Sequence, residues 1–402
     1  MGLDHRVGHR ARAFMHDDVG ERVEPRARRG VEHGVQRARL GVDQDRRHLR
    51  IVDVALFYGE RSGGIRTYLD AKVRHARTTG AFEHHVVVPG PRERHRDGRH
   101  ELPSLRLVAA NGYRVPLGVR ALKRTLERLR PDVVFLHDPF WAPLRVTEAA
   151  HALGANVVAV HHGSAALDAA GMRGPRRAWE ALFRAWLRHA YAPVDAIASV
   201  VDPEPDCGRQ ASFPLRLGLH DAFRPQTGVP RGDHVLYVGR FAREKGVFRL
   251  LEAAARSDDP WPLRLIGSGP AEDALRRRAR KLGIARRVAF RPFLADRERL
   301  ARAYAGARCV VMPGEHETFG LVALEAAASG ARVVACAAAP SAGLLGDLAH
   351  RFARGDTDGL AAAIAAARAA RSDRAAAAAL CWRLGWDRLF AEELDDLRGL
   401  AA

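Results

Sequence analysis

The chain has 402 residues, 47% of them hydrophobic, and a formal net charge of +18, which is length enough for two or three domains with a large core and a composition ordinary for a globular protein. No apolar run approaches the ~18–20 residues of a membrane span, and the N-terminus lacks the apolar core of a secretory signal. Cys207, Cys309, Cys336 and Cys381 are too scattered for a disulfide framework or a metal site, which suits a reducing cytoplasm.

The basic surplus is nearly all arginine; the lysines are Lys72, Lys123, Lys245 and Lys281. An arginine-rich coding bias explains it, and so does a surface drawn to anionic partners such as phospholipid headgroups. No zinc-finger spacing, RNA-binding aromatic motif or recognition-helix signature argues for nucleic acid.

Residues 1–48 mix Arg, His, Gly, Asp and Val without periodicity and with few large apolar side chains. Such a segment cannot bury enough surface to offset its ordering entropy, so it is read as a disordered or misassigned leader. Regularity begins at "LRIVDVALFYG" (49–59), a buried strand entering a loop, after which Gly63 and Gly64 open a helix reaching about Gly80. Strands are predicted at 84–90, 131–139, 155–163 and 195–200, with helices at 117–130, 143–153 and 175–191. Short apolar runs alternating with helices imply βαβ units and a parallel sheet. We take 49–200 as one Rossmann-like domain and the Pro- and Gly-rich stretch 201–233 as a linker with one short strand. A second alternating series follows, with strands at 234–239, 262–267, 287–293, 308–313 and 331–337 and helices near 246–257, 271–283, 296–306, 319–329 and 356–371. It defines a second Rossmann-like domain, 234–380. The segment 381–402 is read as a helix packing back across the domain junction. The predicted fold is thus α/β, two Rossmann-like domains facing each other across a cleft, and open α/β sheets bind ligands at their strand C-termini.

The most informative stretch is "PGEHETFGLVALEAAASG" (313–330). Met312 and Pro313 end a strand, and the helix is predicted to begin near Phe319. Unpaired amides of Phe319, Gly320 and Leu321 would then form an anion site suited to a diphosphate. Glu317 at the loop tip and Glu325 on the helix would accept hydrogen bonds from hydroxyls at the two ends of a nucleotide sugar. A first-turn acid offsetting the helix dipole accounts for Glu317 tolerably, but not for Glu325 beside Ala326, Ala327 and Ala328. In "YVGRFAREKG" (237–246), Arg240 and Lys245 follow a strand and would neutralise a diphosphate, including the charge that develops as it leaves. Ordinary surface cations would look the same in isolation. "GERSGGIRTYL" (59–69) brings backbone close to phosphate or sugar, a weak signal by itself. "VVAVHHGS" (157–164) places His161 and His162 where a strand meets its loop, facing opposite ways. One would pack against helices and the other reach the cleft; either is as readily structural. No HExxH or Asp-x-Asp pattern marks a metal site in the cleft.

Taken together, residues 50–400 resemble a retaining glycosyltransferase of the GT-B fold, family 4 (glycosyl transferases group 1). "VGRFAREKG" resembles that family's donor-phosphate motif, "HETFGLVALE" its Glu-x7-Glu motif, "SGGIRTYL" its first-domain glycine loop and "IGSGP" (266–270) its strand-end turn near the nucleotide. The resemblance implies a nucleotide-diphosphate sugar as donor substrate, held mainly by the second domain, and a saccharide or lipid-linked acceptor held by the first. It assigns the diphosphate to Arg240 and Lys245, the donor sugar to Glu317 and the ribose to Glu325. The backbone around the phosphates and sugar comes from Phe319, Gly320 and Leu321. Gly63, Gly64 and Gly269 join the donor-binding set, and His162 is the cleft histidine. It implies no cofactor and no metal, and retention by front-face attack in which the leaving phosphate helps deprotonate the acceptor. The family's Gly-Gly-x-x-Glu segment has no counterpart in "AAAPSAGLLGDLAH" (337–350). The basic surplus and the absence of a span suggest a cytoplasmic enzyme with peripheral contact to anionic membrane. A sugar-nucleotide epimerase of the same fold and a non-catalytic nucleotide-sugar-binding protein are the competing readings.

Overall fold

The computed structural model describes residues 48–56, 58, 64–106, 114–163, 165, 169, 172, 174–199 and 210–401. All of the expected leader but His48, together with Gly63, Val200 and residues 201–209 of the expected linker, lies outside the described residues.

The first sheet comprises β1 (Leu49–Val54), β2 (Phe82–Gly90), β3 (Arg94–Arg96), β4 (Arg99–Arg106), β5 (Arg114–Pro116), β6 (Val133–Leu136), β7 (Asn156–His161), β8 (Ala196–Ser199) and β9 (Ala211–Pro214). Their order is β3-β4-β2-β1-β6-β7-β8-β9, with β5 on β4. All pairs from β4 through β9 along that path are parallel; β3 and β5 join β4 antiparallel. Helices α1 (Gly64–Thr79), α2 (Arg120–Leu129), α3 (Pro143–His151) and α4 (Arg176–Tyr191) cover it. The second sheet comprises β10 (Val235–Val238), β11 (Leu263–Ile266), β12 (Val288–Arg291), β13 (Cys309–Met312), β14 (Val333–Cys336) and β15 (Ala349–Phe352). It is parallel throughout in the order β12-β11-β10-β13-β14-β15. With it go α5 (Val247–Arg256), α6 (Glu272–Lys281), α7 (Arg297–Gly306), α8 (Leu321–Ala328), α9 (Pro340–Leu345), α10 (Thr357–Ala369), α11 (Arg374–Arg383) and α12 (Trp386–Ala401).

Central strands such as β6, β10, β13 and β14 are buried at every position, because helices cover both faces of a parallel sheet. Several helices begin where an Asp accepts from an amide three residues on: Asp296 from Arg299, Asp356 from Gly359 and Asp373 from Ala376, at 3.1, 2.7 and 2.8 Å. Three features escape the sequence pattern. β3 to β5 form an arginine-rich extension in which β4 buries only His100, Leu102 and Ser104 on one face. β15 and α9 follow β14 in a segment whose alanines and glycines carry little periodicity. The helix expected near Phe319 starts at Leu321, so its loop is two residues longer.

The C-terminal helix α12 lies against α1 through a buried polar network. Lys72 Nζ is 2.7 Å from Glu393 Oε1, 3.4 Å from Asp53 Oδ2 and 3.0 Å from Tyr68 Oη, and it lies 3.8 Å from the centre of the Phe135 ring. Tyr68 donates to Glu393 Oε2 at 2.7 Å. Around these charges Tyr68, Trp386 and Phe390 pack edge and face. Replacing Lys72 by Met leaves two buried carboxylates without their cation. Urea unfolding of Lys72→Met should therefore show a loss of about 3–5 kcal/mol; a loss under about 1 kcal/mol would mean that the network carries no net charge penalty.

Candidate functional site

The order of the second sheet reverses between β10 and β13. Chains leaving these neighbouring strands diverge, and a crevice opens at their C-terminal ends. Beyond β10 come Gly239, Arg240 and a tight turn, Arg243–Lys245; beyond β13 comes the loop 313–320. The two segments touch. A Cβ on Gly246, whose φ is +71°, would lie 2.2 Å from the Pro313 carbonyl oxygen, so only glycine permits the approach. This brings Lys245 Nζ to 2.8 Å from Glu317 Oε2, both side chains largely shielded. Arg240 instead pairs with Glu244 and is 51% exposed. An exposed pair of that kind is worth little, so its guanidinium is free to turn to a ligand.

The loop 313–320 is pinned by an acid that the sequence reading passed over. Glu315 pairs with Arg249, accepts the Gly355 amide at 2.6 Å, and its carbonyl accepts from Arg354 at 3.2 Å. The run "GEHE" holds two acids where only Glu317 drew notice, which is the signal that was present. At the end of the loop Gly320 takes φ +89° as N-cap of α8, and a Cβ there would meet Ser341 Oγ at 2.3 Å. Unlike the Asp-capped helices, α8 has no side-chain cap. The amides of Phe319, Gly320 and Leu321 donate to no backbone carbonyl of the described residues, and helix-start amides of this kind form an anion site. Segment 337–341, where the expected glutamate is missing, backs this turn: Ser341 N donates to Phe319 O at 2.9 Å.

Glu325 lies on α8 among buried alanines and accepts from Tyr304 Oη at 3.1 Å. Burial pushes its carboxyl up to about 7, against the Tyr304 hydrogen bond and the charge of Arg297. Arg297 in turn donates to Thr67 Oγ1 of α1 at 3.3 Å, so Glu325 borders the seam between the two halves. Gly64, the first residue of α1, is at the same seam, where a Cβ would come within 3.1 Å of Leu321 Cδ1. Gly269 packs its backbone against Phe241, with a Cβ position 2.4 Å from the Phe241 carbonyl oxygen.

In the first sheet, His137 and Asp138 follow β6 while His161 ends β7. Asp138 accepts the Phe140 amide at 2.6 Å and shapes that turn. His161 is buried, its Nδ1 3.3 Å from Tyr191 Oη. His162 is half-buried on the other side, with Nε2 2.9 Å from His137 Nδ1. Burial, reinforced by His137 and His161, pushes the His162 imidazole well below its usual value and keeps it neutral. Among the described residues no group of three His, Cys, Asp or Glu side chains is placed to hold a metal ion.

Comparison with known proteins matches two family models in chain order: Glycosyltransferase Family 4 over residues 62–203 and Glycosyl transferases group 1 over residues 221–377. The chain is 33% identical over 310 residues, 71% of its own length and 79% of the relative's, to a GDP-mannose-dependent alpha-(1-6)-phosphatidylinositol dimannoside mannosyltransferase of Mycobacterium tuberculosis. It is 36% identical over 173 residues, 40% of this chain and 38% of the other, to a D-inositol 3-phosphate glycosyltransferase of Jonesia denitrificans. Among solved structures, a sucrose-phosphate synthase from Thermosynechococcus elongatus superposes with a TM-score of 0.68 at 20% identity, covering 88% of this chain and 99% of that one. The Anabaena protein HepE in complex with UDP and glucose does so at 0.63 and 16%, covering 87% and 100%. The fold is thus GT-B-like, two Rossmann-like domains facing across a cleft.

The Glu325 environment has a measurable consequence. The folded state binds this proton more tightly than the unfolded chain, so stability is lost as pH rises from about 4.5 to about 7. Glu325→Gln removes that loss and still accepts from Tyr304. Thermal and urea unfolding should find the variant more stable than the parent by up to about 3 kcal/mol at pH 8 and equal to it near pH 4. A difference that does not grow with pH would contradict this picture.

Proposed function

The chain belongs to the group 1 glycosyltransferases of family 4 and uses a nucleotide sugar, and from that premise we propose how its residues divide the work. The Lys245–Glu317 ion pair at the switch point of the second sheet is the observation that carries the reading. It joins the segment that would hold the leaving diphosphate to the loop that would hold the sugar. The diphosphate rests on the α8 start, with Phe319, Gly320 and Leu321 around it and Arg240 and Lys245 neutralising its charge. Lys245 turns from Glu317 to phosphate, and Glu317 then accepts from a hydroxyl of the donor hexose. Glu325 accepts from the ribose, and Gly64 and Gly269 let the backbone close on the donor; Gly63 would serve beside Gly64. His162 meets a sugar hydroxyl from the first domain. Configuration is retained because the acceptor attacks on the face the diphosphate leaves, and a departing phosphate oxygen takes the acceptor proton. The work is done without a metal or other cofactor. A GDP-linked mannose is the first donor to try, given the mannosyltransferase relative.

The two glutamates make separable predictions. Glu325→Gln loses a charge-assisted hydrogen bond to the ribose, worth roughly 1.5–3 kcal/mol, so calorimetry should find free nucleoside diphosphate bound about tenfold or more weakly. Glu317→Gln releases Lys245 and should leave that affinity equal or higher, while transfer falls steeply because the sugar loses its near-attack geometry. The transfer assay should give the same rate with EDTA present. Equal weakening of the free diphosphate by both variants would defeat the assignment, and so would transfer abolished by EDTA and restored by Mg²⁺.

We also propose that the acceptor is lipid-linked and met at an anionic membrane surface on the cytoplasmic side. No helix among the described residues is long and apolar enough to cross a membrane, so contact would be peripheral. The support is α4: its fully buried residues, Leu187, Ala190 and Tyr191, lie at its C-terminal end, while Phe183 and Trp186 pack only partly against the core. The helix carries Leu182, 56% exposed, with Trp179 and Phe183, and Phe183 stacks edge-on to the exposed Phe140 at 5.9 Å. Arg145 of α3 and Arg176, Arg177 and Arg188 of α4 are exposed as well, a pairing of charge and apolar surface that suits headgroups and acyl boundary together. Burial and Arg354 depress the His316 imidazole of the cleft loop, and Arg176 adds to that effect. The protein should sediment with phosphatidylglycerol vesicles at low salt and less at high salt, and a Phe140→Ser, Leu182→Glu variant should bind about tenfold less at either. Failure to bind anionic vesicles at low salt, or equal binding by the variant, would remove the proposal.

A further inference from the structure

A chain of buried polar contacts runs from the middle of the first sheet to His162. Asp53 in β1 is wholly buried. Its Oδ1 is 2.6 Å from His137 Nε2, and its Oδ2 is 2.5 Å from His84 Nε2 and 3.4 Å from Lys72 Nζ. His137 presents its other nitrogen, Nδ1, to His162 Nε2 at 2.9 Å, the two rings stacked at 5.1 Å with 21° between their planes. Resting on the reading of His162 as the cleft histidine, we propose that Asp53 and His137 are positioning residues that hold His162 as its Nε2–H tautomer and leave the Nδ1 lone pair free for a hydroxyl of bound sugar or acceptor.

The argument follows the protons. Burial works to raise the Asp53 carboxyl, but Lys72 and the hydrogen bonds from His137 and His84 overcome it and hold it well below the usual carboxylate range. An ionised carboxylate only accepts, so both histidine Nε2 atoms that face it carry hydrogen. Lys72 is shared between Asp53 and Glu393, but the far nitrogen of His137, Nδ1, faces only the His162 ring, so a positive charge on His137 would set a buried cationic N–H against a second imidazole that burial keeps neutral. His137 therefore holds one proton, on Nε2, and its Nδ1 is a lone pair. The 2.9 Å contact between the rings then takes its proton from His162 Nε2. A neutral imidazole with hydrogen on Nε2 has its acceptor on Nδ1, and the partner of one nitrogen thereby decides the chemistry of the other. His162 Nδ1 makes no hydrogen bond to a described residue, and the ring as a whole is only half-buried. A chain of such bonds in a low-dielectric core polarises along its length, so the Asp53 charge also makes His162 Nδ1 a better acceptor.

The test reads the bridging proton directly. In the full-length ¹⁵N-labelled protein at pH 7.5, the His162 signals are identified by their loss in His162→Gln, and one-bond and across-hydrogen-bond couplings show which nitrogen holds the proton. Hydrogen on His162 Nε2 is the expected result; hydrogen on His137 Nδ1 overturns the proposal. In Asp53→Asn an amide group turned toward His137 Nε2 donates rather than accepts. The pattern should reverse: the bridging proton moves to His137 Nδ1 and His162 Nδ1 becomes protonated. Sugar transfer should then fall about 100-fold or more, as tautomer reversal does in hydrolase triads, while free nucleoside diphosphate binds within about twofold of the parent. A folded Asp53→Asn protein in which the proton stays on His162 overturns the proposal even if transfer is lost. If that variant does not fold, the wild-type couplings decide alone. Because the couplings are read without substrate, the tautomer result stands or falls separately from the proposed function.

Discussion

Everything at the candidate site depends on one topological constraint, the reversal of strand order between β10 and β13. In a right-handed parallel sheet the helices after two such strands pass to opposite faces, and the crevice between their departing loops is where unpaired helix-start amides collect. The sequence places its scarce lysine and its acids there. Gly246 and Gly320 remove the side chains that would keep the loops apart, and Glu315 with Arg249 anchors the longer loop from behind.

The first half of the chain is organised around a different economy of charge. Asp53, Lys72 and Glu393 lie buried in contact, with His84, His137 and Tyr68 satisfying their remaining valences. Apolar side chains of similar volume would often be at least as stable, because burying ions is costly even when they pair. What the ionic arrangement adds is direction. Glu393 belongs to α12, which follows the second sheet in sequence, while Lys72 and Asp53 belong to the first. Only one seating of α12 satisfies the network, so the last helix is fixed in register as well as held.

The legibility of the chain followed the strength of its local signals. Strands such as "VVFL" and "CVVM" are short apolar runs between turn residues, and they form where the pattern places them because both faces of a parallel sheet are buried. β4 was invisible for the converse reason: an edge strand that buries one face with His100, Leu102 and Ser104 has no apolar run to read. The residues proposed to hold the donor were legible as a pattern because Gly-Arg, Lys-Gly and Glu-x7-Glu have fixed spacing on either side of strand ends. The partners that tune them were not. That Lys245 rests on Glu317, that Tyr304 caps Glu325, and that Asp53 lies beneath His162 through His137 are contacts across 72, 21 and 84 residues respectively for the pairs Lys245–Glu317, Tyr304–Glu325 and His137–Asp53. No local pattern encodes them; they follow from which strands the topology makes neighbours.

The two acids of the Glu-x7-Glu motif end in contrasting electrostatic states, and this bears on how each would meet a ligand. Glu317 is answered by Lys245, and on the proposed reading the cation is stored beside the loop where a phosphate would draw it away. Among the described residues Glu325 has no ion-pair partner, and burial raises its carboxyl to about 7 against the Tyr304 hydrogen bond and the more distant charge of Arg297. A ligand bringing hydroxyl donors to Glu325 would relieve that strain and favour the ionised form, so part of the binding free energy would come from a cost already present in the empty protein. An anion arriving at the α8 start does the complementary thing at Glu317, by competing for its lysine. A nucleotide sugar is the kind of molecule that does both at once, with a diphosphate between two polyhydroxyl ends, and a smaller ligand offering only one of these groups would satisfy only half of the arrangement.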